Sequence, residues 1–261
     1  GHLNATIARG KFPLLMHSVG RNDHQQANTV LWEYLASHGY VIATVPQLGA
    51  SPATPRLTFT PPDVERQRLD VEFALAEMRR FNGADAERIA LMGHSAGPVV
   101  ALLIAAKERA VDAIVSLDGS HTTKEGGEVL VQSGFAAAQI RVPLLNIYRA
   151  NDTHGLDYIV NSLRNSDRYN LAVDPRITHF DFGNWPLYSI LTDEEDPRGK
   201  PFRPSKVARE FHLTMCRYVL KFLDATLKGQ RAALSYVKGE KRFGAAGEAL
   251  LEFHFKAAVT N

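Results

Sequence analysis

Gly93-His94-Ser95-Ala96-Gly97 directly follows the apolar run Ile89-Ala90-Leu91-Met92 and directly precedes an apolar segment of helical period. A serine at a sharp strand-to-helix turn is held in a strained backbone conformation that lifts its hydroxyl clear of the sheet. The flanking glycines are needed there because side chains would collide with neighbouring backbone. The helix that follows aims its first N–H groups at the hydroxyl and so favours negative charge on a reacting oxygen. Nucleophilic attack on a carbonyl carbon is the chemistry such a turn suits, with Ser95 as the attacking group.

A serine hydroxyl attacks poorly until a base takes its proton, so a histidine must come from elsewhere in the chain. Among ten histidines, His179 follows the last strand of the pattern, in Ile177-Thr178-His179-Phe180-Asp181-Phe182, on a loop able to swing over a serine at the sheet edge. His94, inside the turn, is expected to pack, and His121 and His154 are candidates to line a pocket. The base needs a carboxylate to fix its tautomer and stabilise its charged form. Two are placed for this: Asp152, just beyond the run 142–148, is preferred, and Asp118, ending the preceding strand in Ser116-Leu117-Asp118-Gly119, is the alternative. A turn or capping role is the ordinary use of either residue. The oxyanion formed on attack needs preorganised donors, expected from the amide of Ala96 and from that of Val19 in His17-Ser18-Val19-Gly20.

Short runs of Val, Ile and Leu alternating with amphipathic segments predict βαβ units, hence an α/β fold with a mostly parallel central sheet and helices on both faces. Strands are expected over 12–17, 40–45, 88–93, 112–118, 142–148 and 168–173. A helix should follow Asn22-Asp23, place Ala27, Val30, Leu31, Tyr34 and Leu35 on one face, and stop at Gly39. A second should open at Pro61-Pro62-Asp63 with Val71, Leu75, Met78 and Phe81 inward, and a third at Gly97-Pro98. A long one from about Ser205 should carry Val207, Phe211, Met215, Tyr218, Phe222 and Leu223 inward. Segments 46–60, 120–134 and 182–204 show neither period and are expected to be pocket walls on the ligand-binding side of the sheet. One domain over 1–261 is expected, with 229–261 as an extension whose apolar run 250–255 has no assigned place.

Apolar residues at 45% and charged residues at 22% are ordinary for a globular chain, which argues against a disordered or fibrous one. Net charge is +2 and the basic residues are scattered, so there is no stripe for nucleic acid. Cys216 is the single cysteine, which rules out an internal disulfide and leaves the compartment open. No apolar run approaches the ~20 residues a membrane-spanning helix needs. Gly1-His2 reads as a cloning remnant, so a removed signal peptide, and with it a secreted or periplasmic location, stays open. Metal-ligand spacings and phosphate-binding glycine strings are absent, so neither metal nor cofactor is expected, and the expected partner is a small ester.

Phe12-Pro13-Leu14-Leu15-Met16-His17-Ser18-Val19-Gly20, Tyr34-Leu35-Ala36-Ser37-His38-Gly39-Tyr40-Val41-Ile42, the serine turn and His179-Phe180-Asp181-Phe182 together resemble the platelet-activating-factor acetylhydrolase and dienelactone-hydrolase-like branch of the α/β hydrolases. The resemblance spans about residues 11–228. It implies a metal-free Ser–His–Asp esterase that works through an acyl-enzyme on short-chain acyl esters. In the plasma acetylhydrolase the acid follows the strand after the nucleophile's helix, which maps onto Asp118. In polyester hydrolases and cutinase-like enzymes it follows the next strand, which maps onto Asp152. The segment that usually reads His-Gly-x-Gly has Ser18 at its first glycine, and Pro98 stands where a second glycine usually follows the serine turn. Alternatives with the same residues are a polyester hydrolase, an acyltransferase, or an inactive binding protein on this fold.

Overall fold

The computed structural model describes residues 5–47, 56–150, 159–184, 187 and 206–259. Six parallel strands, β1 (Phe12–Ser18), β2 (Val41–Val45), β3 (Ala84–His94), β4 (Ala113–Leu117), β5 (Leu144–Arg149) and β6 (Arg168–Val173), are joined by an antiparallel edge strand, β7 (Leu251–Lys256). The sheet order is β2-β1-β3-β4-β5-β6-β7. The order reverses about β1, so the crevice at the carboxyl ends of β1 and β3 is where such a sheet takes a ligand.

Alternate residues of each strand feed two apolar layers. Leu15, Met92, Val115, Ile147 and Leu171 pack with α1 (Thr29–Ser37) and α5 (Lys206–Leu227). Leu14, Met16, Leu91, Ile114 and Leu144 pack on the other face with α2 (Pro61–Met78), α3 (Gly97–Ala105) and α4 (Lys124–Gln132). With helices over both faces, β4 and β6 are buried along their whole length, including the polar Ser116, Arg168 and Asn170. α3 is buried from Gly97 to Ile104 and has no polar face. Pro98 sits in its first turn, where the missing N–H is harmless.

Four sequence expectations change. β3 starts at Ala84, before the expected 88, and its register on β1 shifts between Pro13 and Leu14; the polar residues Asp85 and Glu87 had hidden this part of the strand. The segment 120–134 is not irregular: a short 3₁₀ turn over Ser120–Thr122 leads into α4, whose start is capped by Thr123 Oγ1 accepting from Gly126 N at 3.2 Å. A Cβ on Gly126 would stand 2.0 Å from the Ser120 carbonyl oxygen, so close packing requires glycine there. Phe81 lies beyond the end of α2 and is 37% exposed, not inward. The run at 250–255 is β7, which follows α6 (Arg231–Val237) and sets Phe253 against Tyr218 and Phe255 against Tyr169. Most of 46–60 and 182–204 lies outside the described residues.

Candidate active site

Ser95 sits between β3 and α3 at φ +58°, a left-handed conformation that a non-glycine residue keeps only where its surroundings impose it. Its neighbours do so. A Cβ on Gly93 would lie 2.3 Å from the Gly97 carbonyl carbon, and one on Gly97 would lie 2.0 Å from the Ser18 carbonyl oxygen. Two backbone bonds lace this turn to the one after β4: Ser95 N–H donates to Leu117 O (3.1 Å) and Ser120 N–H to Ser95 O (2.6 Å). Between those anchors Asp118 also takes a positive φ, +44°. The loop after β1 runs beside the serine, since a Cβ on Gly20 would lie 3.1 Å from Ser95 Cβ. Val19, in that loop, and Ala96, directly before α3, are both buried.

His179 opens a single 3₁₀ turn, His179–Phe182, held by reciprocal capping. Thr178 N–H and Oγ1–H both donate to Asp181 Oδ2, at 2.7 and 2.9 Å. Burial pushes the Asp181 carboxyl above its ordinary value despite these bonds. Asn28 Nδ2 donates to Phe182 O (2.9 Å) and Asn184 Nδ2 to Gln26 O (2.7 Å), tying the turn to the start of α1. His179 Nδ1 lies 2.5 Å from Asp118 Oδ2. A carboxylate only accepts, so Nδ1 carries the hydrogen, and Nε2 is the lone-pair nitrogen of the neutral ring. Asp118 also accepts from Arg149 Nε (2.7 Å, Oδ2) and from Arg149 N–H (3.1 Å, Oδ1). Burial opposes ionisation of Asp118, but the hydrogen bond and charge of His179, with those of Arg149, outweigh it and hold its carboxyl at about 2.

Ser95 and His179 line one cleft of about 360 Å³ together with Gly20, Arg21, Asp23, His94 and Phe180. His94 does pack, as expected, but on the other imidazole: its ring stacks on His179 with centroids 4.7 Å apart, and its Nε2 faces His179 O at 3.3 Å. Its Nδ1 lies 3.7 Å from Asp23 Oδ2. The Asp23 carboxyl, though burial acts against its charge, is held below its ordinary value by its interaction with His94. Behind the cleft, His17 packs edge-on against Trp32 with neither ring nitrogen hydrogen-bonded, and burial pushes its pKa down to about 3.

The serine and the histidine expected from sequence are thus brought to one cleft, and Asp118, the alternative carboxylate, is bonded to His179. Asp152, preferred from sequence, lies outside the described residues, as does His154. His121 does not line the cleft: it is fully buried beneath the turn after β4, and desolvation lowers its pKa to about 4. Arg149 and Asp23 were missed. An arginine at a strand end and an aspartate in a loop look like solvated residues in sequence, and only the strand-end position of Arg149, one strand from Asp118, hinted otherwise. A larger depression of about 640 Å³ with Lys107, Arg109 and Arg141 on its wall has neither Ser95 nor His179 in its lining. Among the described residues no group of three or more His, Cys, Asp or Glu side chains could hold a metal ion, and no helix is long and apolar enough to cross a membrane.

No protein-family model and no curated protein sequence matches the chain. Among solved structures, it is similar to a ferulic acid esterase from Streptomyces cinnamoneus, with a TM-score of 0.69 and 23% sequence identity over 96% of this chain and 76% of that one. At that identity the likeness speaks to architecture, and with the sheet order and the strand-to-helix serine turn it establishes that the chain has the α/β-hydrolase fold.

Proposed function

We propose that the chain is a serine carboxylic-ester hydrolase with Ser95 as nucleophile, His179 as general base and Asp118 as the acid that orients it. His179 Nε2 takes the Ser95 proton, the alkoxide attacks the ester carbonyl, and the amides of Val19 and Ala96 receive the oxyanion. Collapse expels the alcohol, which takes its proton from His179. Water, activated by the same ring, then releases the acid and restores the serine. The observation that carries this reading is the pairing of a strained serine at a strand-to-helix junction with an imidazole in the same cleft whose Nδ1 is tied to a buried carboxylate.

Short acyl groups fit a cleft of this size. The bond of His179 to Asp118, which follows β4, supports the acetylhydrolase-like branch over the cutinase-like one. The ferulic acid esterase of the same architecture acts, by its name, on an ester. Ser95→Ala is expected to lower kcat for p-nitrophenyl acetate by about 10⁴–10⁶-fold and to abolish labelling by a fluorophosphonate probe. Wild-type turnover in that variant would reject the assignment.

A further inference from the structure

Arg149, the last residue of β5, engages both oxygens of Asp118: its backbone N–H holds Oδ1 at 3.1 Å and its Nε holds Oδ2 at 2.7 Å. Oδ2 is also the oxygen that His179 Nδ1 meets at 2.5 Å. The carboxylate is therefore fixed in rotation, and the guanidinium competes with the imidazole for one oxygen. The Asp118 side chain is 7% exposed and that of Arg149 26%, so water screens the three-way contact only in part.

We propose that Arg149 is a positioning residue which locks Asp118 toward His179 and, by sharing Oδ2, keeps the catalytic imidazole unprotonated in more acid solution than a His–Asp pair alone would allow. The proposal rests on the triad reading given above. A lone carboxylate stabilises imidazolium and makes its histidine more basic. A guanidinium on the same oxygen draws off part of that negative charge, and its own positive charge repels an imidazolium. Both effects have the same sign, so removing Arg149 makes His179 easier to protonate.

Among the described residues, the other groups around the pair do not duplicate this role. From the serine turn, the His94 ring stacks on His179. From the loop after β1, Asp23 acts through His94 and with the opposite sign. From the turn after β4, the buried His121 feels the Asp118 charge. On the histidine's own turn, Asp181 is engaged by Thr178.

The test is the pH dependence of kcat/KM for p-nitrophenyl acetate, whose acid limb reports the free base. Arg149→Met and Arg149→Gln remove the cation, and Arg149→Lys keeps it. The limb is expected to move up by about one pH unit in the Met and Gln variants and to return most of the way in the Lys variant. A limb that stays in place or moves down on loss of the cation overturns the proposal, as does a Lys variant displaced as far as Met. Should Arg149→Met fail to fold, Arg149→Gln decides. Ser95→Ala separates the two readings: if that variant still turns over, the serine assignment fails, whereas an inactive Ser95→Ala beside an unmoved limb defeats only the role of Arg149.

Discussion

One methyl group placed on Gly97 would press directly on the contact between the end of β1 and the start of α3. In Gly97→Ala the new carbon would stand 2.0 Å from the Ser18 carbonyl oxygen and 2.8 Å from its carbon, where real Cβ contacts essentially never fall below 3.0 Å. Strand and helix must part by about 1 Å. The Ser18 carbonyl is backbone at the end of a strand paired on both sides, so the displacement falls mainly on the Ser95–Gly97 turn. The proposed oxyanion donors, Val19 and Ala96, lie on opposite sides of that contact. A misplacement of 1 Å at reacting groups costs roughly 10²-fold in rate. The overpacking itself costs about 2–3 kcal/mol, which for a chain of this length lowers Tm by roughly 5–10 °C. The assay is kcat with p-nitrophenyl acetate beside thermal unfolding followed by circular dichroism. Gly134→Ala serves as control: its φ is +74° with nothing within 4 Å of the added carbon, so about 1 kcal/mol of stability should be lost with unchanged kcat. If Gly97→Ala keeps kcat within about threefold of wild type despite a lowered Tm, the spacing across that contact is irrelevant to turnover and the link from glycine to rate fails.

Asp118→Asn should lower kcat by about 10⁴-fold, because an amide can present N–H to Nδ1 and favour the wrong tautomer; Asp152→Asn should leave it near wild type, and the reverse pattern would move the acid assignment to Asp152. The same variant has a stability signature. The folded carboxyl is held at about 2 against an ordinary 3.8, so the folded state binds this proton less readily than the unfolded one. The stability advantage over Asp118→Asn is therefore full above about pH 4 and shrinks as pH falls toward 2, which urea midpoints across that range would measure. Glu248→Ala should cost roughly 2–4 kcal/mol by thermal unfolding. Its carboxylate accepts from the buried Tyr218 hydroxyl at 2.6 Å and from the amides of Phe243 and Gly244 at 2.7 Å each, and all three donors would lose their partner.

The serine turn was legible because sterics there are local: Gly93, Ser95 and Gly97 must be small or strained whatever surrounds them. The strands β4, β5 and β6 were legible because burial on both faces makes most of their residues apolar. The choice between Asp118 and Asp152 was not, since each follows one of two adjacent parallel strands and sequence places both at the same sheet edge. The bonds of Asp118 to His179 and Arg149 leave no mark in residue order. β7 shows the complementary limit. Leu251, Phe253 and Phe255 alternate with Glu252, His254 and Lys256 as a strand should, but its partner β6 is some 80 residues earlier in the chain. Nothing local names that partner, and loop closure over such a distance is decided by the finished core.

The two hydrogen bonds that stitch Ser95 to Leu117 and Ser120 have a mechanical outcome. The seam between β3 and β4 cannot gape without displacing Ser95 and Asp118 in the same event, so both belong to one cooperative unit of opening. A fluctuation that spares the serine spares its distant partner too. Ser95 and Asp118 therefore keep or lose their places together, whatever the separate turn of His179 does.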